Sequence, residues 1–422
     1  RRVNKAVGSG SFNFGYIASN TSFNNEFVAF RADAAFAPQF VEKVANQNLS
    51  ALQNVDYLII TPPAFASQAQ RLAAYHQTAN NYTVEIVDPA KIYNEFGSGS
   101  RDLTAIRDFV TKLNTPQGRL KYVFILGDAS YDYKNRIPNN SNIVSSYESE
   151  ASNNFETSFV TDDYIVMTKP QTTSVLAQNL PDVPVGRIPA ANLTEAGNML
   201  DKTLAYYNAL PGQSTPFGEW RMKLDFVVDD DRDSGTPFHN TMDPILKNIF
   251  EIPGNNNLKE YNVRKLYLDA FPGVSTAGGQ RYPQINQALS NDLGNSLYMF
   301  YFGHGGINGW AQERVFTLDE IQNANNFSNV YSRFPVVSTI TCEFTLWDEP
   351  STFSAGEQLM KLKQGGAATM ITSSRAVSVN YGERFSAAYT QNIFNLINDD
   401  YQTLGNAHLN AKKQYGPDSD HL

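Results

Sequence analysis

Cys342 is the only cysteine in 422 residues, and His304 is one of five histidines. Each comes after an apolar run: "LYMFYF" leads into Gly303-His304-Gly305-Gly306, and "PVVSTIT" leads into Cys342-Glu343. A thiolate attacks a carbonyl carbon and an imidazole protonates the departing amine, so the pair has the parts for nucleophilic catalysis. Glycine at 305 lets the backbone come close to a substrate, which makes the N–H groups of Gly305 and Cys342 candidate oxyanion donors. Plainer readings stand beside this one: a lone cysteine packs as a small hydrophobe, and His-Gly-Gly can be a simple turn. Against the first, Thr341 and Glu343 flank the thiol, and a neighbouring imidazolium would favour the thiolate.

Both residues gain interest from the elements that carry them. From Val55 onward, strand-like and helix-like segments alternate: "VDYLIIT", "PAFASQAQRLAAYHQ", "YTVEIVD", "RDLTAIRDFVTKL", "KYVFILGD", "VPVGRI" and "EAGNMLDKTLAYYNAL". "PGQSTPFGEW" interrupts the pattern. It restarts with "KLDFVVDDD", "TMDPILKNIF", "VRKLYLD", "RYPQINQALSND", "SLYMFYFGHGG", "FPVVSTITCEF", "SAGEQLMKLKQGG" and "AATMITS". Such alternation predicts an α/β fold with mainly parallel sheets flanked by helices. The predicted division is the end of a β-rich module over 1–50, one α/β subdomain over 51–212 and a second, catalytic one over 213–422. His304 and Cys342 then fall at the carboxyl ends of consecutive strands, where parallel sheets border their ligand crevice.

Composition narrows the functional classes. A net charge of −9 argues against neutralising nucleic-acid phosphates. No apolar run reaches the roughly 20 residues that span a bilayer, so no transmembrane segment is expected in this sequence. One cysteine excludes an intramolecular disulfide and a thiolate metal cluster. No dinucleotide fingerprint fits, because Asn308 stands where a glycine would be needed, and neither a Walker loop nor H-E-x-x-H occurs. Asp229, Asp230, Asp231 and Asp233 gather near His239. Without the EF-hand glycine they read as a solvated acidic loop rather than a metal site. His76, His408 and His421 read as structural or surface residues.

The order strand–His-Gly, then strand–Cys, resembles the caspase–gingipain clan of cysteine peptidases. "FGHGGINGWAQE", "STITCEF", "FSAGEQLMKLKQGGAATMITSSR" and "ILGDASYDY…TDDY…VPVGRIPA" are similar to the gingipain family, peptidase family C25. The resemblance implies two caspase-like subdomains, with His304 and Cys342 as the catalytic pair. It also implies Gly305 and Cys342 amides as oxyanion donors and Asp162 as the acid that orients the histidine, with Asp163 the fallback. Glu343, Trp310 and Arg384 are the expected substrate-binding residues. Arg384 departs from the family pattern, because a cation there repels a basic P1 side chain. No cofactor is expected, with structural calcium left open because gingipains bind it.

Within the family, "FVEKVANQNLSALQNVDYLIITP" and the β-rich lead-in look most like the surface sortases of type IX secretion. That likeness implies substrates with C-terminal sorting domains, a lipopolysaccharide acceptor, other secretion components as partners, and a place on the outer membrane of a Gram-negative bacterium. A general secreted protease and a cargo-binding scaffold without turnover are the alternatives.

Overall fold

The computed structural model describes residues 31–40, 42–150, 154, 158–170, 179–207, 217–230, 238–250, 260–323, 333–363, 365–398 and 400–415. Residues 1–46 and 47–422 form separate units. Of the expected β-rich lead-in, the run at 14–20 and residues 27–30 lie outside the described residues, and Ala32–Ala34 forms a single 3-10 turn.

Within 47–422 the first sheet comprises β1 (Tyr57–Ile60), β2 (Val84–Val87), β3 (Tyr122–Leu126) and β4 (Val185–Ile188), all parallel in the order β2-β1-β3-β4. Its strands are short apolar runs because both faces are covered. Leu58 and Ile60 pack with Ile92 of α2 (Pro89–Phe96) and with Ile106, Phe109 and Val110 of α3 (Leu103–Leu113). Tyr57 and Ile59 point the other way, onto α1 (Ala66–Ala79) and α4 (Leu193–Tyr206). Alternation along one strand thus feeds two apolar layers.

The second sheet repeats the plan. β5 (Lys223–Val228), β6 (Asn262–Tyr267), β7 (Tyr298–Phe302), β8 (Val336–Ile340) and β9 (Thr369–Thr372) run parallel in the order β9-β8-β7-β5-β6. Tyr298, Phe300 and Phe302 pack against α5 (Phe238–Phe250), α9 (Val379–Phe394) and α10 (Leu404–Tyr415). Met299 and Tyr301 enter the opposite layer with α6 (Pro283–Asp292), α7 (Leu318–Gln322) and α8 (Ala355–Lys361). The aromatic run before His304 is therefore a strand buried on both faces.

Helices α2, α9 and α10 go beyond the elements expected from the sequence. Asp88 caps α2 through its bond from the Ala90 N–H, and Pro89 opens the first turn, a start signal compressed between a strand and α3.

Polar ties join the two sheets. Lys202 of α4 is buried and donates to the carbonyl oxygens of Leu359 (3.3 Å) and Met360 (2.5 Å) in α8. Lys412 of α10 donates to Asp163 at 2.5 Å, both side chains buried, and Asn406 donates to the Tyr122 hydroxyl at 3.2 Å.

Candidate active site

Strands β7 and β8 are hydrogen-bonded neighbours, and their register pairs Phe302 with Ile340. His304 and Cys342 each lie two residues beyond that pair, at the same edge of the sheet. The turn between them is tight. A side chain at Gly305 would stand 2.4 Å from Thr341 Oγ1, so the His-Gly turn lies directly on the residue before the thiol. At Gly303 a Cβ would stand 2.2 Å from that of Asp229. These clashes are why glycine brackets the histidine.

His304 is held from three sides. Its N–H donates to Asp229 Oδ2 at 2.8 Å, and its carbonyl oxygen accepts from the Tyr301 hydroxyl at 2.5 Å and from the Ala311 N–H at 2.8 Å. Its ring meets Phe238 edge-on, centroids 5.3 Å apart, and its buried Nε2 has no hydrogen-bond partner among the described residues. The Ala311-to-His304 bond spans the pair Gly305/Trp310, which makes it a non-hydrogen-bonded pair and leaves the Gly305 N–H out of the hairpin ladder.

Cys342 Sγ accepts from the Val377 N–H at 3.4 Å, one residue before the Ser378 cap of α9. The sequence reading expected a thiol poised as thiolate. In the structure burial pushes the thiol up, the Val377 N–H pulls it down, and the Glu343 carboxylate adds to the rise. Glu343 itself is half-buried with φ of 50°, a left-handed conformation rarely taken by a side-chain-bearing residue, and its N–H donates to the Arg375 carbonyl at 3.2 Å.

Asp162, the acid expected to orient His304, sits in an ion pair. Asp162 receives two bonds from Arg187, Nε to Oδ2 at 2.8 Å and NH2 to Oδ1 at 2.7 Å, and a third from the Ser146 hydroxyl at 2.9 Å. Asp163, the fallback, is held by Lys412. Sequence reasoning missed Glu148 of the same cluster. Its Oε2 lies 3.9 Å from Arg375, which is also paired with the buried Asp348, while its buried Oε1 has no partner. Burial, then the Asp348 charge, pushes the Glu148 carboxyl up against the pull of Arg375. "SSYESE" offers no motif that would single this residue out.

One of the expected substrate contacts is placed differently. Trp310 is fully buried, stacked on Tyr301 at 4.4 Å with rings 2° from parallel and packed on Phe316 and Phe344. It is a core residue, corrected from a substrate contact, because the hairpin folds its ring under the strand. Arg384 is exposed on α9.

The acidic loop also differs from expectation. Asp231 and Asp233 lie outside the described residues, but Asp229 and Asp230 are buried at 2% exposure rather than solvated. With Glu313 they bring one oxygen each within 4.8 Å of one another. Burial pushes the Asp229 carboxyl up to about 7, with Glu313 and Asp230 adding to the rise. All-oxygen donors of this kind suit a hard cation such as calcium, which would need further oxygen ligands beyond these three. When bound it would relieve the repulsion among the three acids.

The parallel α/β sheet carries a cysteine and a histidine beyond adjacent strands, and comparison with known proteins gives the family. The profile of peptidase family C25 matches residues 50–421, so the chain belongs to peptidase family C25 and is a gingipain-type cysteine peptidase. The fold is that of gingipain R (RgpB), described as an Arg-specific cysteine proteinase: TM-score 0.62 at 15% identity, covering 89% of this chain and 78% of that one. The complex of Porphyromonas gingivalis RgpB pro- and mature domains gives 0.59 at 15%, covering 85% and 74%. Dimeric latent PorU from Porphyromonas gingivalis is 28% identical over 41% of this chain and 18% of that one, with a TM-score of 0.36. No curated protein sequence matches.

Proposed function

We propose that Cys342 is the nucleophile and His304 the acid–base of a peptide-bond-cleaving reaction. The observation that carries this is their position beyond registered neighbours on β7 and β8, with Gly305 pressed onto Thr341. Because the thiol is held above its ordinary range, His304 takes the Sγ proton as sulfur attacks the carbonyl carbon, then passes it to the departing amine. The unladdered Gly305 N–H and the Cys342 N–H hold the oxyanion. Water or an amine then attacks the thioester and regenerates the thiol. Asp162, held by Arg187 and Ser146, is the acid assigned to orient the histidine, with Asp163 the fallback. Residues 51–212 and 213–422 serve as the supporting and catalytic subdomains.

The finer reading is a sortase. It removes the C-terminal sorting domain of type IX-secreted proteins and joins the new C-terminus to a lipopolysaccharide amine at the cell surface. The sequence likeness of residues 40–62 and the lead-in to such sortases supports this, and exposed Arg384 argues against cleavage after basic residues. Glu343 and Arg384 are the residues assigned to substrate. The test is to incubate wild type and Cys342→Ala with a sorting-domain cargo plus an amine acceptor and to weigh the new termini. Processing by the variant would sink the catalytic assignment, and broad digestion of unfolded casein by wild type would replace the sortase with a general protease.

A further inference from the structure

The loops that leave the carboxyl ends of β3 and β8 are bonded to each other. The Tyr131 N–H, on the first, donates to the Asp348 carbonyl, on the second, at 3.1 Å. Asp348 is buried, and its carboxylate takes both ends of the Arg375 guanidinium, NH1 to Oδ1 at 2.8 Å and NH2 to Oδ2. The Arg375 carbonyl in turn accepts the N–H of Glu343, the residue after the thiol, at 3.2 Å. Bonded steps therefore run from the neighbour of Cys342 to Tyr131 and fix the one loop against the other.

The first loop is braced around an inward aspartate. Asp132 is buried, and its Oδ2 accepts from the N–H groups of Arg136 at 2.5 Å and Ile137 at 2.7 Å. Its carbonyl accepts from Asn140 Nδ2 at 2.6 Å, and its N–H donates to Ser130 Oγ at 3.0 Å. The residues on either side of it face solvent: Tyr131 is 42% exposed and Tyr133 60%, the latter even with Lys134 over its ring at 5.2 Å. A single exposed aromatic needs no explanation. Two that flank one anchored residue, on a loop tied to the thiol edge, are placed for contact, and tyrosine supplies contact area at low conformational cost. Burial, then the charge of Glu349, raises the Tyr131 hydroxyl, which sets an acid beside this ring and disfavours an acidic guest.

We propose that Tyr131 and Tyr133 form a subsite for the polypeptide substrate, taking apolar or aromatic side chains two residues apart and away from the pair that flanks the scissile bond. The spacing follows because an extended peptide turns residues i and i+2 to the same side. A polypeptide is the occupant because the loop that bears the rings is bonded through Asp348 and Arg375 to the residue after Cys342, so a chain laid across the thiol continues toward them. The inference rests on the assignment of Cys342 to the catalytic edge.

Twelve-residue peptides displayed on phage and selected on the folded Cys342→Ala chain test it, with the affinities of the enriched sequences read by fluorescence anisotropy. Those sequences should carry apolar or aromatic residues at alternate positions and few acids. Tyr131→Ala and Tyr133→Ala, each added to that chain, should weaken binding about fivefold, whereas Tyr131→Phe, which keeps the ring, should leave it unchanged. Cys342 is the single cysteine, so the same peptides tagged at one end with an activated disulfide should couple to the wild-type chain at least about tenfold faster than scrambled ones. Tyr131→Ala should remove that gain. Failure to enrich any peptide, unchanged affinity in both alanine variants, coupling no faster from either end, displacement of the peptide by cellohexaose, or a dimer that dissociates on Tyr131→Ala would each overturn the subsite. Cargo processing by Cys342→Ala would instead place the fault in the catalytic assignment.

Discussion

Each sheet ends on a buried aspartate, and the two are used differently. Asp128 lies just past β3 and Asp229 just past β5, and burial pushes both carboxyls up to about 7. Around Asp128 the chain supplies relief: the Ser141 hydroxyl donates at 2.6 Å, and Lys361 and Arg187 lie near enough to lower the shift. Around Asp229 it supplies more acid, Asp230 and Glu313, while one Asp229 oxygen is spent on the His304 N–H. One residue type at one kind of strand end thus serves as a joint beside cations in the first sheet and as the backing of the histidine N–H among further acids in the second. The fold rule makes the positions equivalent, and the neighbours decide what each does.

The largest effect should come from the thiol edge. Cys342→Ala or His304→Ala should lower peptidase turnover by a factor of about a thousand or more, with the circular dichroism of the fold retained. Asp128→Asn should leave turnover near wild type, and if it too abolished cleavage, the two edges would not differ as described.

Next in size is the ion pair between Lys412 and Asp163. Lys412→Met leaves a buried carboxylate unpaired and should cost about 3–5 kcal/mol in denaturant unfolding. A loss below about 1 kcal/mol would mean that the pair behaves as a water-exposed one.

The acids beside the site should separate by kinetics. Asp162→Asn is expected to lower kcat by about tenfold or more with KM little changed. Glu148→Gln, which removes one partner of Arg375, should act mainly on thermal stability. The opposite pattern would move the orienting role from Asp162 to Glu148.

The thiol offers a pH reading. Its folded value is raised, so iodoacetamide should label free enzyme with a midpoint above the ordinary thiol range near about 8.5. A midpoint well below that range would show that the His304 imidazolium governs the thiol after all.

The buried aspartates also predict how stability changes with pH. Asp128 and Asp229 hold protons in the folded chain that the unfolded chain has released above about pH 4, so each removes stability as pH rises from there to about 7. Asp128→Asn should flatten that decline by its own share in denaturant titrations run at about pH 4, 5.5 and 7, and an unchanged slope would contradict the raised value.

The strands and the edge that carries His304 and Cys342 were legible because the signal is local: a buried strand reads as an unbroken apolar run, and the residues just past its end fall at the rim. The thiol's environment was not, because it depends on Val377 and α9, 35 residues further on, meeting it in space. Trp310 shows the same limit. Nothing in "GINGW" says that the hairpin turns this ring inward onto Tyr301. The surroundings of Glu148 were invisible for a third reason, since Arg375 and Asp348 lie roughly 200 residues further along the chain.

The pairing of Lys412 with Asp163 spans 249 positions of sequence. Contacts of that separation close only after most of the loop between them has been fixed. A chain being synthesised or threaded through a narrow channel therefore has its first sheet assembled around an acid that waits, uncompensated, for a lysine not yet delivered. The arrangement couples completion of the first sheet's surroundings to arrival of the segment that carries Lys412.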